Sequence, residues 1–369
     1  MPNSVALYGF PLSRERRLCG NNMASSLEST LTRAWLRRGP LALALWPLSL
    51  LFRLLAALRA GLFGVGILKS ERLPVPVIVV GNIFIGGTGK TPLTIWLVEQ
   101  LRAAGLSPGV ISRGHGGDAD SGPRDVLAGA RAGEVGDEPL LIAARTGCPV
   151  VVGRRRAEAG RHLLARHPGV DVLVTDDGLQ HYALRRDVEL VLFDGRGVGN
   201  GWTLPAGPLR EPPSRRRDFT VVNTPELTPT LALAVGGRPY QMRLAGEYAE
   251  QLRDPARRLP LAELGALAAG KRIVAAAGIG NPGRFFAMLR SAGLAPQELP
   301  LPDHHDFLDD PFRGLDAGLI LITEKDAVKC RQLEHLNNDP RLWVVPVTAQ
   351  IDPALAAQIV EKCRGRPTA

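Results

Sequence analysis

The chain has 369 residues, enough for two domains of ordinary size, each with its own core. It carries 45 lysines and arginines against 36 acids, a net charge of +9. This balance indicates an anionic partner, which is nucleic acid, an acidic membrane surface or a phosphorylated substrate. Aromatic residues make up 5% of the chain and no nucleic-acid-binding motif is present, so we expect no nucleic-acid partner.

The four cysteines are scattered along the chain without any C-x-x-C spacing. They are Cys19, Cys148, Cys330 and Cys363. This pattern supports neither a zinc site nor a disulfide framework. It suits a protein of the reducing cytosol.

The first residues of the chain have no clear structural pattern. Residues 1–22 are polar and basic, and we interpret them as a disordered tail or as a mis-assigned start. In the second interpretation, Met23 is the natural start of the protein and precedes a helix.

Residues 27–70 predict a basic and apolar membrane-associated helix. Positions 41–52 carry no charge, and Arg53 and Arg59 interrupt the apolar character that continues after them. Because about twenty apolar residues are needed to cross a bilayer, we expect an interfacial helix whose arginines reach the headgroups. Anionic headgroups would also attract the preceding cluster of Arg33, Arg37 and Arg38. The alternatives are a core helix and a signal peptide.

A phosphate-binding loop follows the apolar strand predicted at 75–80. The loop consists of Gly86, Gly87, Thr88, Gly89, Lys90 and Thr91, and a helix is predicted at 92–104. In this arrangement backbone N–H groups surround a phosphate, Lys90 reaches the terminal phosphates and Thr91 can ligate Mg²⁺. The motif G-x-x-x-x-G-K-[ST] requires glycine where this chain has Phe84, so the loop is a variant. The alternative is a glycine-rich hairpin, but strand, loop and helix occur in the required order.

Two further strands are predicted to end in charged residues. The strand at 108–112 precedes Arg113, which can help to hold phosphate or be an exposed loop arginine. The strand at 169–175 precedes Asp176 and Asp177. We predict Asp176 as the Mg²⁺ ligand, and Asp177 as a metal ligand or a sugar contact, although Asp-Asp-Gly is also a common turn.

Two more segments of this half carry candidate polar residues. Asp137 and Glu138 precede an apolar helix, where the alternative role of the aspartate is an N-cap. The stretch 204–212 is too rich in proline for a helix or a central strand, and predicts an ordered loop or linker. Arg210 and Glu211 within it are candidates for substrate or phosphate contact.

The pattern predicts an α/β fold. We expect a P-loop NTPase-like, mainly parallel sheet with helices on both faces at 71–225, and a second, smaller α/β domain at 226–369. The second domain has predicted strands at 271–278, 318–323 and 342–347, and helices at 284–292 and 353–363. The glycines at 278–283 lack the acid of a dinucleotide fingerprint and are interpreted as a turn. Thr323 is a predicted helix N-cap.

Several motifs in this order resemble the tetraacyldisaccharide 4'-kinase family, the lipid A 4'-kinases. The resemblance runs from about residue 27 to about residue 363. Its motifs are Gly81-Asn82-Ile83 leading into Gly86–Thr91, Ser112-Arg113-Gly114, Gly136-Asp137-Glu138-Pro139, Asp176-Asp177-Gly178-Leu179-Gln180-His181, Leu204–Glu211 and Thr323-Glu324-Lys325-Asp326.

The resemblance implies transfer of the γ-phosphate of ATP, with Mg²⁺, to the 4'-hydroxyl of an acylated glucosamine disaccharide 1-phosphate. It implies a peripheral or monotopic enzyme at the cytoplasmic face of the inner membrane, and no obligate protein partner is evident. Asp137 would be the catalytic base, paired with His304 of the second domain, with Lys90 as a further catalytic residue. Gln180 and His181 join Arg210 and Glu211 as substrate candidates. His115 stands where the family more often has tyrosine, and His305 where an aromatic residue can occur.

Two other functions remain open at this point. The first is a P-loop ATPase that couples hydrolysis to assembly or metal insertion, but such enzymes often carry a signature lysine where this chain has Ile85. The second is a membrane-bound nucleotide sensor without chemistry. A sensor would leave Asp137 and the acids after the strand at 169–175 unexplained.

Overall fold

The computed structural model describes residues 34–114, 122–268 and 270–365. Residues 1–22, Met23 and His115, on which the sequence analysis made predictions, lie outside the described residues. So do Cys19 and Arg33.

The N-terminal apolar segment forms a long exposed helix, α1 (Pro40–Gly64). Proline is well suited to its first turn, because the first N–H of a helix has no partner within it. The helix is long and apolar enough to cross a membrane, with a mean hydropathy of 2.0 over an 18-residue window that is 11% buried. Such a window differs from that of a soluble core helix, which is mostly buried. The predicted helix is therefore present, and the core-helix alternative is wrong for the described part.

A nine-stranded sheet forms the body of the first half, in the order β15-β8-β7-β6-β1-β5-β2-β4-β3. Its strands are β1 (Val77–Gly81), β2 (Pro108–Ser112), β3 (Arg124–Asp125), β4 (Val150–Val152), β5 (Val172–Asp176), β6 (Val188–Asp194), β7 (Phe219–Asn223), β8 (Tyr240–Ala245) and β15 (Thr348–Ile351). Only the edge strands β3 and β15 are antiparallel to their neighbours. β1 lies between β5 and β6, and Val80 pairs with Asp176.

Helices cover both faces of this sheet, as the fold prediction required. They are α2 (Lys90–Ala103), α3 (Ala132–Val135), α4 (Asp137–Thr146), α5 (Arg156–Arg166), α6 (Pro229–Val235) and α11 (Ala354–Arg364). One core packs β1 against α2, α4 and α11, and the other packs it against α5. The strands β1, β2 and β5 to β7 are largely apolar because both of their faces are buried. The predicted fold class is confirmed.

A second sheet of six strands has the order β10-β9-β14-β13-β11-β12. Its strands are β9 (Tyr248–Gln251), β10 (Arg258–Pro260), β11 (Ile273–Ala277), β12 (Gln297–Pro300), β13 (Leu319–Thr323) and β14 (Leu342–Val345), and its helices are α7 (Leu264–Leu267), α8 (Pro282–Ser291), α9 (Glu324–Cys330) and α10 (Glu334–Asn337). β11 to β14 are mutually parallel. Thr323 caps α9 as predicted, because its hydroxyl accepts a hydrogen bond from the Asp326 N–H.

The two sheets divide the chain differently from the predicted boundary at residue 226. β8 continues the first sheet beyond that position, and β15 returns to pair with it. α11 then packs its apolar face on the first core, through residues such as Leu355 and Ile359. The second sheet and its helices, which we call the second unit, are thus an insertion between β8 and β15. The chain crosses twice between this unit and the first unit, which is the nine-stranded sheet with its helices.

Candidate functional site

The candidate site lies at the carboxyl edge of the nine-stranded sheet. The parallel strands β2, β5, β6 and β7 end there in polar residues, which are Ser112, Asp176, Asp194 and Asn223. The loop after β1 emerges at the same edge. In open α/β sheets this edge forms the ligand crevice.

The phosphate loop joins β1 to α2 and needs its glycines. Gly86 and Gly89 have φ values of +95° and +99°, which side chains with a Cβ rarely adopt. A methyl group at Gly89 would also lie 2.6 Å from the Asn223 Nδ2, which donates a 2.9 Å hydrogen bond to the Thr88 carbonyl. The loop backbone is therefore held in a curve at the N-terminus of α2, which is the arrangement that binds phosphate.

Lys90 is directed toward the acids at the end of β5. Its Nζ donates a hydrogen bond to the Asn82 Oδ1 at 3.3 Å and lies 3.9 Å from the Asp177 Oδ1. Asn82 is fully buried and its amide also donates to the Phe84 and Gly86 carbonyls. The lysine is thus placed over the loop by a residue of the loop itself.

Contacts with a second loop explain why the phosphate loop can have Phe84 where the motif has glycine. Phe84 forms an antiparallel bridge with Leu209, and the Arg210 N–H donates a 2.7 Å hydrogen bond to the Ile83 carbonyl. The Phe84 ring is 3% exposed and the guanidinium of Arg196 lies 4.2 Å above its centre. The first part of the phosphate loop is therefore held as an extended segment, where glycine is not required.

Asp176 and Asp177 lie beside the phosphate loop, as predicted. The Asp176 Oδ1 accepts a 3.4 Å hydrogen bond from Thr94, and among the described residues its buried Oδ2 has no partner. Burial raises the pKa of Asp176, the negative charge of Glu138 adds to the effect and Lys90 opposes it, so that the pKa is about 7. A buried carboxylate oxygen without a partner among the described residues, in a residue followed directly by a second carboxylate, fits a divalent cation with oxygen ligands.

Arg210 connects the proline-rich loop to the phosphate loop. Its guanidinium lies 3.3 Å from the Asp177 Oδ1 and donates hydrogen bonds to Asn82 and, at 3.2 Å, to Gln180. Burial raises the pKa of Asp177, but the charges of Lys90 and Arg210 outweigh that effect, and the net shift is downward. Asp177 is therefore an anion bound by two cations.

Glu211 has a different environment from its neighbour Arg210. It is 7% exposed and accepts hydrogen bonds from Gln180 and Tyr182, each at 2.9 Å, and from Arg215 at 2.7 Å. These contacts make Glu211 the anchor of the loop. Gln180 links Glu211 to Arg210.

His181 and Arg156 contact each other, and the charges of Asp176 and Asp177 act on Arg156. Burial, assisted by the charges of Arg156 and Arg186, lowers the pKa of His181 to about 4, so the imidazole is neutral near pH 7. Its Nε2 accepts a 3.2 Å hydrogen bond from the Arg156 N–H, which leaves the proton on Nδ1. Arg113 is exposed at the end of β2, and its charge acts on both residues. Arg156 is 3% exposed and was not predicted, because its signal was hidden in an arginine-rich helix.

The structure brings Asp137 and His304 together from segments 167 residues apart. The His304 Nδ1 lies 3.1 Å and 3.0 Å from the two carboxylate oxygens of Asp137. Asp137 is the first residue of α4, and its Oδ1 accepts a 2.9 Å hydrogen bond from the Glu138 N–H. The N-cap of α4 is Gly136, so the alternative N-cap role of Asp137 is wrong.

Two lysines of α9 complete this charged group. The Lys329 Nζ lies 3.3 Å from the Asp137 Oδ2, and the Lys325 Nζ donates a 3.1 Å hydrogen bond to Glu138. Burial raises the pKa of Asp137, but the hydrogen bond from His304 and the charges of both lysines prevail and lower it to about 2. The hydrogen bond to Asp137 raises the pKa of His304. Lys325 belongs to the motif that starts at Thr323, but neither lysine was predicted as a site residue from the sequence.

The glycine turn after β11 contacts the phosphate loop. A methyl group at Gly280 would lie 2.8 Å from the Gly87 backbone nitrogen, and one at Gly87 would lie 3.3 Å from the Gly280 Cα. Both positions are therefore glycine because two backbones touch here. The turn predicted from sequence thus lies directly on the phosphate loop.

Comparison with known proteins identifies the family. A model of the tetraacyldisaccharide-1-P 4'-kinases matches residues 41–364. The chain belongs to this family. A tetraacyldisaccharide 4'-kinase of Herminiimonas arsenicoxydans is 59% identical over 94% of this chain and 98% of its own, and one of Janthinobacterium sp. (strain Marseille) is 61% identical over 94% and 99%.

A solved structure of the family is also similar in fold. It is that of LpxK from Aquifex aeolicus, described as an apo form in complex with ATP. The TM-score is 0.70 at 27% identity, and the match covers 87% of this chain and 99% of that one. The resemblance inferred from the motifs is therefore confirmed.

Proposed function

We propose that this protein transfers the γ-phosphate of ATP to the 4'-hydroxyl of a tetraacylated glucosamine disaccharide 1-phosphate. Membership of the kinase family supports the reaction, and the ATP bound by the Aquifex relative supports the donor. The observation that carries the proposal is the Asp137–His304 pair beside the phosphate loop. In phosphoryl transfer to an alcohol, a carboxylate oriented by a histidine can accept the proton of the attacking hydroxyl.

The phosphate loop, Lys90 and Arg113 would bind the triphosphate. Mg²⁺ would be held by Thr91, Asp176 and Asp177, and would neutralise charge on the phosphates. Lys90 already contacts Asp177 and would move the short distance to the terminal phosphates. Arg210 lies on the same carboxylate and would add a second positive charge.

Asp137 would accept the proton of the 4'-hydroxyl as the new phosphorus–oxygen bond forms. The charge of Glu138, the next residue, acts on Asp176, so the base lies close to the proposed metal site. His304 would orient the carboxylate and stabilise its charge. Asp137 is 4% exposed, so the hydroxyl reaches it only when the second unit moves to admit substrate, as in other enzymes that close over their substrates.

The acceptor would approach along α1. This helix docks on the loop that leads to Arg210, through a 2.7 Å hydrogen bond from Ser49 to the Thr203 carbonyl and a contact between Trp46 and Trp202. Most of the leucines of α1 are exposed, with Leu54 at 65%. We propose that this face lies in the cytoplasmic surface of the inner membrane, as a peripheral or monotopic anchor, and that Gln180 and His181 contact the disaccharide.

The test is a phosphoryl-transfer assay in detergent micelles. The protein is incubated with γ-labelled ATP, Mg²⁺ and the tetraacyl disaccharide 1-phosphate, and the lipid is separated by thin-layer chromatography. We expect label in the lipid, and none with Lys90→Ala. Hydrolysis of ATP without labelled lipid would favour the ATPase function and refute the proposal.

A further inference from the structure

Lys329 is a buried cation that touches the proposed catalytic base. It lies in the last turn of α9 and is 8% exposed. Its Nζ is 3.3 Å from the Asp137 Oδ2, 3.9 Å from the Asp326 Oδ1 and 5.4 Å from the centre of the Phe307 ring. A lysine is rarely buried to this extent without a specific reason, because its charge must be compensated.

A second carboxylate, that of Asp326, lies near Lys329 within the same helix α9. The Asp326 Oδ2 accepts hydrogen bonds from the Gly278 N–H at 3.0 Å and from the Thr323 hydroxyl at 2.7 Å. These bonds fix the Asp326 side chain, so its Oδ1 faces Lys329. Lys329 therefore lies between two carboxylates, and that of Asp326 has a fixed orientation within the second unit.

The carboxylate of Asp137 is held from three directions. The Glu138 N–H binds Oδ1, Lys329 lies on Oδ2, and the His304 imidazole spans both oxygens. Since the first contact is local and the other two come from the second unit, the orientation of Asp137 depends on how α9 and the His304 segment are placed.

We propose that Lys329 is a positioning residue, which orients the Asp137 carboxylate for proton transfer. The inference rests on the proposed role of Asp137 as the base. Lys329 acts through Asp137 and does not itself contact the reacting atoms. The charge of Lys325 also acts on Asp137, but the polar groups that Lys325 contacts are Glu138, Asp303 and the His304 Nε2.

A purely structural role for Lys329 would be to hold the two units together. A second cross-unit ion pair does this independently, since the Arg145 Nη1 lies 2.5 Å from the Glu324 Oε1. That pair joins the same two helices, α4 and α9, without touching Asp137. Arg145 therefore provides a matched control for a loosened interface.

The experiment compares Lys329→Met, Lys329→Arg and Arg145→Met in the labelled-lipid assay, each also combined with Asp137→Asn. We expect Lys329→Met to lower kcat about ten- to a hundredfold, the size of effect that a misplaced catalytic group produces, with little change in KM for ATP. Lys329→Arg should restore part of the loss, and Arg145→Met should lower kcat far less. In the Asp137→Asn background, Lys329→Met should have no further effect, because the group through which it acts is gone.

Two results would overturn the inference. One is an equal fall in kcat for Lys329→Met in both backgrounds, and the other is an equal fall for Lys329→Met and Arg145→Met. If the methionine variant does not fold, Lys329→Gln, which keeps a polar end, takes its place in the same comparison. A wild-type kcat for Asp137→Asn would refute the base role itself, which separates failure of the proposed function from failure of this inference.

Discussion

Asp137→Asn is the most informative single change, because it keeps the shape of the side chain and removes its charge. The pKa of Asp137 falls from 3.8 to about 2 in the folded protein. A shift of one unit corresponds to roughly 1.4 kcal/mol, so the ionised carboxylate contributes about 2 kcal/mol to stability. With a lowered pKa, this contribution is present above pH 3.8 and is lost as the pH falls through about 2.

The asparagine variant also leaves Lys329 buried beside a neutral group, which adds to this loss of stability. We expect the free energy of unfolding at pH 7 to fall by about 2–5 kcal/mol, measured by urea unfolding. Turnover should fall by about two to four orders of magnitude, the usual effect of removing a general base. The dissociation constant for ATP should change little, since the phosphate loop is intact.

The control for the stability effect is Asp137→Asn with Lys329→Met, in which the buried lysine charge is removed together with that of Asp137. This double variant should recover part of the lost stability and none of the turnover. The reasoning would be refuted by turnover within about threefold of wild type, or by an ATP affinity that falls as far as turnover does.

Three other changes test separate parts of the structure. Gly280→Ala should raise KM for ATP and lower kcat, because its methyl group would press on the phosphate-loop backbone, whereas Gly283→Ala has only a 3.8 Å neighbour and should be close to wild type in the same assay. The raised pKa of His304 predicts a stabilisation that is fully present below about pH 6.5 and lost as the pH rises through the folded value. The difference in unfolding free energy between wild type and His304→Gln should therefore shrink at alkaline pH, and a pH-independent difference would contradict this. Leu54→Asp should reduce binding to anionic vesicles in a flotation assay about tenfold or more, whereas Leu233→Asp, at a position that is 85% exposed outside α1, should not.

Much of the site could be predicted because its signals are local. The glycines of the phosphate loop mark a backbone that curls at a helix N-terminus, and the strand before Asp176 marks an acid delivered to the sheet edge. Thr323 is a cap within its own turn. Each of these features depends on residues within one short segment, so a pattern in the sequence is sufficient.

The boundary between the two units could not be predicted in this way, because it depends on residues that are far apart in the chain. β15 is a short strand with alternating exposure, and nothing in its own residues indicates that it pairs with β8 across about a hundred residues. α11 is amphipathic and could cover either sheet. Which sheet it covers depends on the position of β15, so the boundary could not be found from composition near residue 226.

The sequence by itself determined the phosphate loop, the apolar helix α1 and the α/β class. These features depend on the periodicity of helices and strands and on the positions of glycines, which are properties of short segments. The motifs also supplied the pairing of Asp137 with His304, but only through family resemblance. The tertiary structure decided how that pair is held, with Lys329 on the carboxylate and Gly280 against Gly87. Those contacts join segments far apart in the chain, and their energies depend on how two separate sheets dock, which no local pattern encodes.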